Sequence, residues 1–348
     1  MITIKTKGTP FQRGKMQGEV MKQHVRPWIE RILSNGKDSL DNGRITYEAD
    51  LIRHQLEKNY VSGYEECCGI ASGIGIDEIS YFSGLYCNFM LPADKKCTTM
   101  GFKTVNDEPI IGKTDDIYIN ELGNNIMEIT LPSEGFRHIH FHFAGTIWTV
   151  AGMNECGLAM AMTGIAGPSE SNLQGIFSLD ALHSLLPACK TVVEAVEHVN
   201  NMRLNSGGFS LLLGDSTGRM KLLEKTSAGT TEISTNKQGL YLHTNHILDY
   251  TFASVNPPQA EPLLTNGTKR YENALKIMQD IPYTEQGMVR FLSDRNKSGA
   301  IMQQGEDGLF MDFSVIFLPA QKKITVTAGY PAYDQMFSIF TNDILKDE

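Results

Sequence analysis

Between Lys96 and Cys97 the sequence changes character, and that change limits what the chain can fold into. Upstream, residues 11–92 space their apolar side chains as helices do: Arg13 to Leu33 with a break predicted at Pro27, Glu48 to Tyr60, Ser62 to Ala71, and Asp77 to Phe89 behind an Asp77 N-cap. Downstream, strand patterns at 97–105, 109–114, 125–131, 137–143, 146–152 and 157–163 are separated by turn residues such as Asn106-Asp107 and Pro132-Ser133-Glu134-Gly135. Helical patterns return at 178–187 and 191–202, strands at 208–213, 219–225, 230–234 and 240–244, helices at 267–280 and 284–293, and strands at 312–318 and 323–327. Strand runs alternating with helix pairs predict an α+β protein: two antiparallel sheets face to face with helices on both outer sides, a four-layer αββα sandwich. No linker or repeat divides 97–348. The expected organisation is a mostly helical segment 1–96 and a sandwich domain 97–348, packed as one globular unit.

Composition narrows the function class. A formal charge of −9, with no basic run longer than a dipeptide, argues against a nucleic-acid surface or an anionic membrane partner. Residues 1–20 hold no apolar stretch of signal-peptide length, and nowhere do about eighteen apolar residues run together. A cytoplasmic protein is therefore expected. The six cysteines, at 67, 68, 87, 97, 156 and 189, include no Cys-x-x-Cys pair and suggest reduced, mostly buried thiols rather than a disulfide framework or structural zinc.

Cys97 opens the first downstream strand pattern, and Gly112-Lys113-Thr114-Asp115-Asp116 ends the second. A hairpin around Asn106–Pro109 lays the two antiparallel and brings Asp115 or Asp116 near Cys97. Were the Lys96–Cys97 bond cut, the cysteine would carry an α-amine whose ordinary pKa, about 8, is close to that of its own thiol. Two polar clusters follow, the turn around Asn154 and the run His243-Thr244-Asn245-His246. An Asn amide in such a place can donate to a developing oxyanion. His138, His140 and His142 lie on one face of a strand, where alternate histidines could chelate zinc. No Asp or Glu stands at ligand spacing nearby, so a polar, exposed strand face is expected instead.

Several motifs in order carry a family resemblance: Gly8-Thr9-Pro10-Phe11 with Gly14 and Gly18; Gly69-Ile70-Ala71-Ser72-Gly73; Asn88; Cys97-Thr98-Thr99; Gly112 to Asp116; Asn154-Glu155 with Gly157-Leu158; Thr244-Asn245-His246; and Arg270-Tyr271. The chain resembles the penicillin acyltransferase (acyl-CoA:6-aminopenicillanate acyltransferase) family of N-terminal-nucleophile hydrolases, relatives of the bile-salt hydrolases and penicillin V acylases. The resemblance implies the αββα fold of that class, residues 1–96 as a pro-segment, and autocatalytic cleavage between Lys96 and Cys97. It implies Cys97 as nucleophile, an aspartate at its amine, Asn245 as oxyanion donor and an arginine close by. Asp116 competes with Asp115 for the aspartate role and is preferred, because it keeps the four-residue offset from Gly112. Arg270 competes with Arg295 and is preferred; Thr114, Asn154 and Thr163 are further candidates. Lys96 stands where the family has Gly, Thr114 where it has Asn, and Lys113 where bile-salt hydrolases have Arg.

The implied activity is hydrolysis or transfer at a linear carbon–nitrogen amide bond through a Cys97 acyl-thioester. The expected partner is a small N-acyl amide or thioester, with no metal or cofactor and with a homo-oligomer admitted. Two alternatives stand beside it: an unprocessed family member acting as a binding protein, and a metal-dependent hydrolase using His138, His140 and His142.

Overall fold

The computed structural model describes residues 1–39, 42–90, 96–167, 174–255 and 263–346, apart from the side chains of 35–39, 42–46, 86–90, 120 and 263. In chain order the helices are α1 (Pro10–Ser39), α2 (Asn42–Asn59), α3 (Val61–Ile74), α4 (Glu78–Met90), α5 (Ser178–Leu182), α6 (Leu185–Ala188), α7 (Val192–Asn201), α8 (Tyr250–Ala253), α9 (Leu263–Ile277), α10 (Glu285–Leu292) and α11 (Thr341–Ile344). The strands are β1 (Ile2–Gly8), β2 (Lys96–Lys103), β3 (Pro109–Tyr118), β4 (Asn125–Pro132), β5 (His138–Phe143), β6 (Thr149–Asn154), β7 (Ala159–Ile165), β8 (Ile176–Phe177), β9 (Leu204–Ser206), β10 (Gly208–Gly214), β11 (Met220–Thr226), β12 (Gly229–Ile233), β13 (Tyr241–His243), β14 (Gln304–Glu306), β15 (Leu309–Leu318), β16 (Lys323–Ala328) and β17 (Met336–Phe340).

Two sheets form the centre. The larger runs β1-β4-β5-β6-β7-β10-β11-β12, and the smaller runs β13-β2-β3-β15-β16-β17, with β14 added to β15. Alternation along each strand decides the layers. Ile111, Phe313, Val315 and Phe317 of the smaller sheet meet Ile139, Phe141, Met153 and Leu212 of the larger one in a core between the sheets. The opposite side chains of the smaller sheet, Met100, Phe102, Ile110 and Ile316, pack on Ala274 of α9 and on Met288 and Phe291 of α10. On the outer face of the larger sheet, α5 to α7 cover Met160, Leu211 and Leu213, while α1, α3 and α4 cover Ile126 and Phe143. The result is the αββα sandwich expected.

Three details depart from expectation. Helix α1 continues through Pro27. Pro27 removes the hydrogen bond to the carbonyl of Gln23, but both residues lie on the exposed side, where water can replace it, while Met21, Val25 and Ile29 remain buried on the other. Strand β1 pairs parallel with β4, from Ile2 opposite Ile126 to Gly8 opposite Pro132, so the larger sheet is not antiparallel throughout. The histidine face of β5 is not exposed: His138, His140 and His142 are all buried, because α1 and α3 lie over it. Burial pulls the pKa of His138 down to about 4 and that of His140 well below its ordinary value.

The spaced glycines of the N-terminal half have a packing reason. A Cβ on Gly14 would come within 1.9 Å of the Glu66 carbonyl oxygen, and one on Gly69 within 2.2 Å of the Phe11 oxygen. Gly18 and Gly73 are equally tight, so α1 and α3 touch backbone to backbone.

Candidate active site

The β2–β3 hairpin sets the geometry. Its register places Cys97 opposite Asp115 and Lys96 opposite Asp116. Directly opposed residues share a sheet face, so Asp115 falls beside the cysteine and Asp116 on the reverse side. Cys97 is 5% exposed, and its Sγ lies 3.4 Å from Asp115 Oδ1. The same carboxylate oxygen is 3.0 Å from Lys113 Nζ, and Asn125 donates to the other at 3.0 Å. Lys113 is wholly buried and also donates to the carbonyl oxygens of Met162 and Thr114.

The backbone of Cys97 is held from two sides. Its N–H donates to Asn245 Oδ1 at 2.9 Å, and its carbonyl oxygen accepts from Arg270 Nη1 at 2.6 Å. Arg270 Nη2 donates to the same Asn245 oxygen at 2.8 Å, joining the two clamps. Arg270 is completely buried, reaches Thr98 Oγ1 at 2.8 Å, and is steadied through Nε by Asn266, one turn earlier on α9. Asn245 Nδ2 donates to the Gly164 carbonyl, which fixes the carboxamide plane. The turn carrying Asn245 follows β13, where His243 bridges Thr163 Oγ1 at 2.7 Å and Glu224 Oε1 at 2.9 Å.

Burial dominates the electrostatics. It pushes the Cys97 thiol up to about 12, against the opposing pull of Lys113. Asp116 is raised to about 7 by burial, with Arg270 opposing; its Oδ2 accepts from Thr114 Oγ1, and among the described residues its Oδ1 has no hydrogen-bond partner. Burial lowers Arg270 from its ordinary value, with Asp116 and Cys97 pulling the other way.

Cys97, Asp115, Asn245, Arg270 and Thr114 are thus brought together around one strand start. Asp116, the aspartate favoured from its offset, lies behind the strand with Arg270 and Thr114, because side chains alternate along β3; Asp115 holds the place beside the thiol. Arg295 is elsewhere, donating to the Met302 carbonyl and pairing with Glu306 at 2.8 Å. Asn154 is a turn former: it donates to the carbonyls of Leu186 and Cys189 and accepts from the N–H groups of Cys156 and Leu158. Thr163 reaches the site through His243. Lys96 is buried with Nζ 3.7 Å from Asp307. The side chain of Asn88 lies outside the described residues.

Residues that sequence reasoning missed are Lys113 as a partner of Asp115, Asn125, Asn266 and Glu224. Asn266 alone left a readable signal, its helical spacing from Arg270. Among the described residues, the five cysteines other than Cys87 are all free thiols, and no helix is long and apolar enough to cross a membrane.

Residues 103–333 match the family described as acyl-coenzyme A:6-aminopenicillanic acid acyl-transferase. The chain belongs to that family. The span matched to this acyl-transferase family begins after Cys97 and contains Asp115, Asp116, Asn245 and Arg270. Membership in an acyl-transferase family supports an enzyme that acts on small acyl substrates. No curated protein matched the sequence. Solved structures similar to it include a conjugated bile acid hydrolase from Clostridium perfringens, at 12% identity and a TM-score of 0.48 over 72% of this chain and 95% of that one. Another is a Caenorhabditis elegans ortholog of N-acylethanolamine-hydrolyzing acid amidase, at 14% identity and a TM-score of 0.44 over 64% of this chain and 93% of that one.

Proposed function

We propose that the chain is an autoprocessing hydrolase or acyltransferase of linear carbon–nitrogen amide bonds, with Cys97 as nucleophile and residues 1–96 as a pro-segment that stays packed on 97–348. The observation that carries this reading is the joined clamp of Asn245 and Arg270 on the Cys97 backbone. Cutting the Lys96–Cys97 bond turns the held N–H into an α-amine in a seat already built.

In the first step Sγ bonds to the Lys96 carbonyl carbon, the carbon–nitrogen bond breaks, and the thiol proton ends on the departing nitrogen. Water then hydrolyses the thioester, leaving a Lys96 carboxylate, a free thiol and the α-amine of Cys97. In the uncut chain a thiol held up at about 12 is almost wholly protonated at neutral pH. The new amine, with an ordinary pKa of about 8, supplies the missing base.

In turnover the amine takes the thiol proton as sulfur bonds to the substrate acyl carbon, and passes it to the leaving amine. Asp115, fixed by Lys113 and Asn125, orients the ammonium form. One hydrogen of the Asn245 amide is used by Gly164, and the other is the oxyanion donor. Water or a second amine then takes the acyl group from sulfur.

Release of free amine from N-acyl amino acids, penicillin V and conjugated bile acids tests the activity in wild type and Cys97→Ala. Turnover of at least one class, lost in the folded variant, is the expected result; equal turnover by both proteins contradicts it.

A further inference from the structure

The histidine face of β5 lies on the outer side of the larger sheet, away from the intersheet space that Cys97 and Lys113 face. Glu128 on β4 stands directly opposite His140, and His142 lies two residues further on the same face. Glu128 and His142 are completely buried and His140 is 2% exposed. One oxygen, Glu128 Oε2, lies 3.0 Å from His142 Nε2 and 3.9 Å from His140 Nε2. All three ligand atoms lie within 4.8 Å of one another.

The outer nitrogens of the two rings are engaged elsewhere. His142 Nδ1 lies 3.1 Å from the Phe143 carbonyl oxygen, which can only accept, so that nitrogen carries the hydrogen. His140 Nδ1 bonds Thr149 Oγ1 at 2.9 Å. Both Nε2 atoms therefore turn toward the same carboxylate, each ring oriented by a hydrogen bond from its far side, as metal-ligating histidines are. Between a lone pair on His142 Nε2 and a carboxylate oxygen 3.0 Å away a positive charge has to sit. A proton would satisfy that pair and leave His140 Nε2 a buried nitrogen with no hydrogen-bond partner among the described residues. A metal ion would satisfy all three.

We propose that Glu128, His140 and His142 form a structural site for a divalent transition metal of the zinc class. Two imidazoles and one carboxylate suit zinc or cobalt rather than calcium or magnesium, which take oxygen ligands. The carboxylate is further anchored by Thr6 Oγ1 of β1, by Gln17 Nε2 of α1 at 3.3 Å and by Thr130 Oγ1. The bound ion fastens the N-terminal strand and helix to the sheet. It stands on the far face from Cys97, so its loss loosens the 1–96 segment without removing a group from the thiol site.

The test uses the full chain, produced in zinc-supplemented medium and purified without a metal-affinity tag. Elemental analysis is expected to find about one equivalent of zinc in wild type and in His138→Leu, and under about a tenth in His140→Leu. Wild type refolded with cobalt(II) is expected to show visible ligand-field bands from nitrogen and oxygen ligands, a reading that needs no variant to fold. Folded wild type that carries no metal and takes up no cobalt overturns the proposal and leaves a proton between Glu128 and His142. Zinc retained in folded His140→Leu overturns it equally.

Discussion

Cys97 and Asp115 face each other across the β2–β3 pairing, with Sγ 3.4 Å from Oδ1, while Asp116 looks out of the other side of the same strand. Side-chain alternation therefore separates two adjacent aspartates into different tasks. Asp115→Asn removes the charge proposed to orient the Cys97 amine and is expected to lower kcat/KM by about 100-fold, the scale of a misplaced proton-transfer group. Asp116→Asn is expected to cost less than about tenfold on the same scale. Steady-state kinetics on one amide substrate check both; equal losses would contradict the assignment.

Asp116 gives a pH signature. Its folded pKa, about 7, lies above the ordinary 3.8, so the folded chain binds the extra proton between those values. Stability from this group is then present at low pH and lost as pH rises from about 4 to about 7. Glu66, also raised to about 7 by burial, acts in the same direction, while histidines buried neutral act against both below about pH 6.5. Comparing urea midpoints of wild type and Asp116→Asn cancels the shared groups. The wild-type advantage is expected to shrink as pH rises across that window, and a flat difference would contradict the burial of a titrating carboxyl.

The two arginines separate on stability. Arg270→Gln leaves Asp116 and the Cys97 carbonyl buried without their cation and is expected to cost about 3–5 kcal/mol. Arg295→Gln disturbs a pair about a third exposed, and is expected to cost under about 1 kcal/mol. Denaturant titration checks the contrast.

How much of this was legible depends on distance along the chain. The layers followed from local period and turn residues, and Cys97, Asn245 and Arg270 from the order of short motifs. Strand β1 was not among the expected strands, although Ile2, Ile4 and Thr6 alternate with Thr3, Lys5 and Lys7, and nothing in that alternation points to the parallel pairing with β4. The choice between Asp115 and Asp116 needed the register of one hairpin, which shifts by one residue without changing the composition of either strand. Asn125 enters its site from the facing sheet and Glu128 from the strand beside β5, and nothing local announces a partner that arrives by tertiary packing. The burial of the β5 histidines came from helices more than sixty residues upstream.

Asn154 and Asn245 test the difference between a turn former and a site residue. Asn154→Ala loses four hydrogen bonds to backbone, three of them buried, and is expected to cost about 2–4 kcal/mol while the remaining folded enzyme keeps its kcat/KM. Asn245→Ala removes the proposed oxyanion donor and is expected to lower kcat by about 100-fold or more. Kinetics on the folded fraction of each variant separate the two; an unimpaired Asn245→Ala would contradict its role.

The most direct measurement is the intact mass and N-terminal sequence of the purified chain. Wild type is expected to yield fragments 1–96 and 97–348, roughly 11 and 28 kDa of the 38.7 kDa total in proportion to length, the larger beginning at Cys97, while Cys97→Ala stays whole. A wild-type chain that remains uncut yet hydrolyses amides at full rate would contradict the N-terminal-nucleophile mechanism.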